Sequence, residues 1–184
     1  LSKVIDGVWT ELSEPQEFKV VKLREGALPA KNISEINAFR KRFEAFQQDM
    51  TAVRTVLSKS QSLVSAMSTA LSSATNPTPE LAKSIEDARN ALLTINRKMN
   101  GSKAKNEIGE RNSLSPGDGQ FVGFVALGST YGPTGNHVAA FERAVNQLAG
   151  IKSELKTISE QTLPGLRSAL KEAGAPWIEG EGLK

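Results

Sequence analysis

The sequence predicts a mainly α fold: an antiparallel helical bundle of three to four helices, two of them very long, with a short N-terminal β or extended stub. Three observations carry this. Ile36, Phe39, Phe43, Phe46, Met50, Val53, Leu57, Ser60, Val64, Met67 and Leu71 follow at alternating intervals of three and four, ten of the eleven apolar, with no Pro or Gly among them. That is the seam of a long helix packed in a bundle or coiled coil. Leu81, Ile85, Ala88, Leu92, Ile95 and Met99 repeat the pattern after a turn. Aromatic residues make up only 5% of the chain while 39% is hydrophobic, which suits a core of Leu, Ile, Val and Ala and is enough to bury one.

Residues 1–30 lack the helical period. Val4-Ile5-Asp6-Gly7 reads as a strand entering a turn. Glu17-Phe18-Lys19-Val20-Val21-Lys22-Leu23 alternates as a strand does. Two short strands are not stable alone. They either pack on the helices or form the stub of a preceding β-domain. Gly26 and Pro29 mark a linker, so the divisions expected are 1–30, a helical bundle over 31–176, and a tail over 177–184.

Asn32 followed by Glu35 predicts a capping box opening the first helix. The helix should run to about Ser73, roughly 60 Å at the α-helical rise. Ser58, Ser60, Ser62, Ser65, Ser68, Ser72 and Ser73 read as a solvated face. Asn76-Pro77-Thr78-Pro79 is a tight turn, with Thr78 the cap and Pro79 at the first helical position. The second helix is half as long as the first, so another element must cover the rest of the seam.

That element is expected in 100–133. Ser115-Pro116-Gly117-Asp118-Gly119 reads as a turn, and the octet Phe121–Gly128 as a short helix or a strand. A helix packed on Phe39, Phe43 and Phe46 is favoured, as a partial fourth member. Thr134 caps the third long helix, whose seam Val138, Phe141, Val145, Leu148 slips by one residue to Ile151, Leu155, Ile158. Leu163-Pro164-Gly165 should kink or break it. Gly174 is placed as a C′ residue, Pro176 prevents continuation, and Trp177 closes the fold.

The chemistry is sparse. Net charge is +3, too small an excess to indicate nucleic acid. The basic spots Arg40-Lys41-Arg42 and Arg97-Lys98 fan around a helix axis or suit a helix C-terminus. There is no Cys, hence no disulfide or thiolate. His137 is the lone histidine, which fails the count for a di-metal bundle or a zinc site and points to a capping role. No nucleophile elbow occurs. Gly117-Asp118-Gly119 lacks the Gly-Lys-Ser/Thr of a phosphate loop. Glu35, Glu44, Asp49, Glu154 and Glu160 are glycosidase carboxylates only by type. No catalytic, cofactor-binding or metal-binding residue is assigned, and no cofactor is expected. No apolar run reaches membrane-spanning length. The chain opens at Leu1 without a signal-like segment, which reads as a processed product or a fragment of something longer.

The run Leu163-Pro164-Gly165-Leu166-Arg167 through Ala173-Gly174-Ala175-Pro176-Trp177, with Pro133-Thr134, Glu17-Phe18-Lys19-Val20 and Leu28-Pro29-Ala30, resembles the C-terminal region of large bacterial exported proteins. Those proteins are built on a β-propeller of BNR (Asp-box) or sortilin-like repeats and are described as putative glycosyl hydrolases. The resemblance implies a helical region that follows the propeller and a short β-linker. It implies an exported location, periplasmic or extracellular. The Asp-box pattern is absent and Asp6-Gly7-Val8-Trp9 is not one, so no catalytic residue carries over.

The expected function is a non-catalytic structural or interaction domain. Its partners would be its own propeller or another chain, with Trp9, Phe18 and Trp177 as aromatic anchors to test. The alternatives are a self-standing coiled-coil oligomerisation module working through an uncovered seam, and a helical enzyme domain with a carboxylate site between the octet and the first helix.

Overall fold

A computed structural model describes residues 1–21, 23–24, 26, 29–176 and 178. The chain is mainly α. Its first helix, α1, spans Ile33–Ser72. The Asn32 side chain caps it by accepting from the Ser34 N–H at 2.9 Å. The bond falls one residue earlier than a capping box requires, so the predicted reciprocal pairing with Glu35 does not form. Phe39, Phe43, Phe46, Met50, Val53, Leu57, Ser60, Val64 and Met67 are buried as the spacing predicts. At the end Ala70 takes the buried place expected of Leu71, which is half-buried. The serines divide: Ser60 is buried and Ser68 accepts from Arg89 at 2.9 Å, while Ser58, Ser62, Ser65, Ser72 and Ser73 face solvent.

Helix α2, Pro79–Asn100, starts as predicted on Thr78, whose Oγ1 accepts from the Leu81 N–H, and buries all six predicted seam residues. It packs back along the C-terminal half of α1. A short helix α3, Lys103–Glu107, follows. Helix α4, Pro116–Gly128, then shares the remaining half of the seam with the helix that follows it. Ser115-Pro116-Gly117-Asp118-Gly119 is therefore the first turn of a helix and not a free turn. The Asp118 carboxylate accepts from the Ser115 N–H at 2.6 Å and from its hydroxyl at 3.0 Å. This closes the helix start as a capping box does.

Helix α5, Gly135–Thr157, passes through a π-helical turn, Ile158–Thr162, into α6, Leu163–Glu172. It runs alongside α1 in the same direction: Glu142 meets Arg42, Lys152 meets Asp49, and Gly174 meets Thr75. Its buried residues are Phe141, Ala144, Leu148, Ile151, Leu155 and Ile158, then Leu163, Leu166 and Leu170. The spacing alternates by three and four up to Ile158, because Ala144 and not Val145 occupies the seam. The predicted slip at Leu148 is absent. One residue is inserted later, between Ile158 and Leu163, and the π turn holds it. There the Leu163 N–H bonds the Ile158 carbonyl, five residues back. The widened turn also accommodates Pro164, which has no N–H and crowds the preceding turn of a regular helix. The seam stays on the core, and the predicted break is a local rewinding.

The far end is sealed. Gly174 has φ +70°. The Ala175 N–H bonds the Leu170 carbonyl and the Gly174 N–H bonds that of Lys171, a Schellman cap. The carbonyls of Ala173 and Gly174 accept from the Asn76 and Thr75 N–H groups, which ties the α1–α2 turn to the end of α6.

The N-terminal stub is a hairpin of β1, Ser2–Ile5, and β2, Val8–Glu11, antiparallel with Ser2↔Glu11, Lys3↔Thr10, Val4↔Trp9 and Ile5↔Val8 in register. Asp6 and Gly7 both have positive φ, as a two-residue type I′ turn requires. The partner of β1 is thus the segment directly after the turn, not 17–23. Among the described residues 13–21 and Leu23 belong to no strand. The hairpin does not pack on the helices, since all of its strand residues are exposed. Of the expected tail 177–184, Ile178 is buried in the core, and Trp177 and 179–184 lie outside the described residues.

Candidate functional site

The candidates from sequence are dispersed. Asp49 pairs with Lys152 at 2.6 Å, Glu154 with Lys98 at 2.7 Å, and Glu160 faces Lys156 at 3.9 Å. Glu35 and Glu44 are exposed. Each of the three engaged carboxylates meets a lysine on the surface, where such pairs contribute about 0–1 kcal/mol. Arg42 leaves the basic run to reach Glu142 at 2.6 Å and to lie over the Phe141 ring, 5.7 Å from its centroid. Arg40 and Lys41 point to solvent. His137 Nδ1 accepts from the Thr134 backbone N–H while the His137 backbone N–H donates to Thr134 Oγ1, the capping role expected of it. Among the described residues no group of three or more His, Cys, Asp or Glu is placed to hold a metal ion. Nor is any helix long and apolar enough to cross a membrane.

A cleft of about 480 Å³ opens where the 101–114 segment meets α5. Asn112 builds its wall: its Oδ1 accepts from the Ser102 N–H at 2.8 Å and its Nδ2 donates to the Ser102 carbonyl. Arg97, Lys98 and Lys105 give it a positive rim, and the Lys98–Glu154 pair spans it. Nothing in it pairs a nucleophile with a base.

The distinctive surface is apolar. Helix α4 packs through its smallest residues, with Pro116, Gly119, Gly123 and Ala126 forming its buried face. A Cβ on Gly119 would lie 2.0 Å from that of Ala144, and one on Gly123 would lie 2.3 Å from the Phe43 ring. The octet thus meets Phe43 as predicted, but through glycine. Its phenylalanines turn the other way: Phe121 is 69% and Phe124 71% exposed, with Val125 beside them, while Leu127 packs against the core. A helix apolar on all sides is ordinarily buried on all sides. The chain leading into α1 adds to this end. Phe18, Val20, Val21 and Leu23 are exposed, and Val20 and Val21 border a groove with Ile33 and Ile36. The Lys31 N–H bonds the Tyr131 carbonyl at 3.0 Å, which fixes the entering chain beside the end of α4. Trp9, on the hairpin, is 76% exposed and Phe18 87%. Of the three anchors proposed from sequence, two are thus open to solvent and Trp177 lies outside the described residues.

Sequence reasoning overlooked two parts of this surface. The second hairpin arm was signalled by Asp6-Gly7 between apolar pairs. The inward face of α4 was signalled by small residues at 116, 119, 123 and 126, a seam spacing without large side chains.

No family model, curated protein or solved structure matches the chain.

Proposed function

We propose that this chain is a non-catalytic interaction arm, a bundle of three to four helices that docks through the end where the chain enters α1. One observation supports this above the rest. Among the described residues most of the exposed large apolar side chains lie on the hairpin, the 18–23 segment, the start of α1 and the outer face of α4, with Ile108, Leu114, Leu93 and Val56 outside that set, whereas the opposite end is closed by the Gly174 cap. A surface so divided suits a body that is covered at one end and projects at the other. The family resemblance would make the covering partner a preceding β-propeller in an exported protein. The hairpin, exposed on both faces, suits that stub reading.

Two further observations favour this reading over the alternatives. The α1 seam expected to drive coiled-coil assembly is covered by α2, α4 and α5. The contact between the octet and α1 is Gly123 on the Phe43 ring, an apolar one.

Chemical cross-linking of the native full-length protein, read by mass spectrometry, tests the arm. Cross-links to partner surfaces should gather at Lys3, Lys19 and Lys31. A set gathered at Lys83 and Lys171, at the sealed end, would refute it. So would turnover of aryl glycosides that disappears on Asp49→Asn or Glu154→Gln.

A further inference from the structure

The hairpin has two open edges, and its register says which backbone groups they present. Ile5↔Val8 closes a two-residue turn, so that pair and Lys3↔Thr10 exchange hydrogen bonds within the hairpin, as Leu1 and Leu12 do. The N–H and C=O groups of Ser2 and Val4 therefore point out along the β1 edge. Those of Trp9 and Glu11 point out along the β2 edge.

The two edges differ in what they meet on pairing antiparallel with themselves. A β1 edge paired about Lys3 sets two lysines opposite each other, which is unfavourable. A β2 edge paired about Thr10 sets Thr10 against Thr10, and Trp9 and Glu11 then exchange hydrogen bonds reciprocally with their counterparts. It also places Val8 opposite Leu12. On one face this continues the hairpin's own pairs into two rows, Ile5, Val8, Leu12 and Leu1, each row drawn from both copies. All four side chains are more than half exposed in the single chain. A two-stranded hairpin is marginal in water and a sheet of more strands is not.

We propose that the β2 edge of the hairpin pairs with the β2 edge of a second copy of this chain, forming a four-stranded sheet about a twofold axis at Thr10. The inference rests on reading the hairpin end as the docking end, and it names the partner there as the chain itself. So small an interface belongs to the weak class, and association should appear at high micromolar concentration.

Sedimentation equilibrium of the chain over a wide concentration range tests it, with far-UV circular dichroism confirming that each variant keeps its helices. The wild-type chain should show a monomer–dimer equilibrium. Glu11→Pro removes an outward N–H and should weaken it by about tenfold or more. Val4→Pro, on the other edge, should leave it unchanged. Thr10→Glu faces Lys3 within its own hairpin but meets its own like charge across the axis, so it should be monomeric. An equimolar mixture with Thr10→Lys should restore the dimer. A monomer at every concentration would overturn the pairing and leave the docking-end reading standing. Association lost on Val4→Pro, or lost on Phe121→Ser/Phe124→Ser but kept in Glu11→Pro, would also overturn it. The docking-end reading fails separately, on the cross-link map.

Discussion

Gly123 lies flush against the ring of Phe43: a Cβ on the glycine would stand 2.3 Å from Cε2 and 2.4 Å from Cδ2. No side chain fits between them, so α4 rests directly on α1. The same contact turns Phe121 and Phe124 away from the core. This contact, with that of Gly119 on Ala144, seats α4 close to its neighbours and leaves its phenylalanines outside.

Gly123→Ala should therefore destabilise the fold by about 1–3 kcal/mol through overpacking against a ring that is itself enclosed. The effect should exceed that of Gly128→Ala, where an added Cβ meets nothing within 4 Å. Urea denaturation of the two variants side by side measures the difference.

Phe141 is fully buried and meets the rings of Phe39, Phe43 and Phe46 at centroid distances of 5.1, 6.1 and 5.3 Å. Phe141→Ala should cost about 3–5 kcal/mol. Phe124→Ala, removing a ring that is mostly in water, should lie within about 0.5 kcal/mol of wild type. Equal losses in thermal unfolding would show that the outer face of α4 is packed in solution.

The π turn makes a two-part prediction. Deleting Glu160 removes the inserted residue and makes Ile158 to Leu163 a regular seam step, but it places Pro164 in an ordinary α-helix, at a cost of about 3 kcal/mol. Combining the deletion with Pro164→Ala should recover most of that loss. Chemical denaturation of the single and double variants checks it. A double variant no better than the deletion alone would mean that the proline is not what the widened turn accommodates.

Gly174→Ala places a side chain at φ +70° and 3.0 Å from Thr75 Oγ1. It should destabilise by about 1–2 kcal/mol. Hydrogen exchange should localise the damage: the Thr75 and Asn76 amides, which bond the Gly174 and Ala173 carbonyls, should lose protection before the middle of α1.

The three cross-helix ion pairs Arg42–Glu142, Asp49–Lys152 and Lys98–Glu154 are each about half exposed. Neutralising one partner of any pair should change stability by no more than about 1 kcal/mol, and the change should shrink in high salt. Denaturation midpoints at low and high ionic strength measure this.

Much of the helical framework was legible because its signals are local. The 3–4 spacing of α1 and α2, the Thr78-Pro79 start, the Thr134 cap and the Gly174-Pro176 stop each act within a few residues of chain. The candidate surface was less legible. Glu17–Leu23 alternates like a strand, yet β1 pairs with the nearer segment 8–11, because a two-residue Asp-Gly turn closes with little loss of chain entropy. Phe121 and Phe124 looked like core because hydrophobicity alone ranks them so. Their outward direction follows from Gly119 and Gly123, whose lack of a side chain permits the close approach.

By itself, then, the sequence determined that this chain is helical, where its long helices begin and end, and which stripe of α1 and α2 is buried. Backbone propensity, caps and apolar period are properties of neighbouring residues. The tertiary structure alone decided what covers each half of that stripe, that Ala144 and not Val145 enters the seam of α5, and that a π turn rather than a break carries the helix past Pro164. It also decided that an apolar helix presents its phenylalanines to water. Those outcomes depend on how near two helices can come, and that distance is set by pairs of residues far apart in the chain: Gly119 with Ala144, and Gly123 with Phe43.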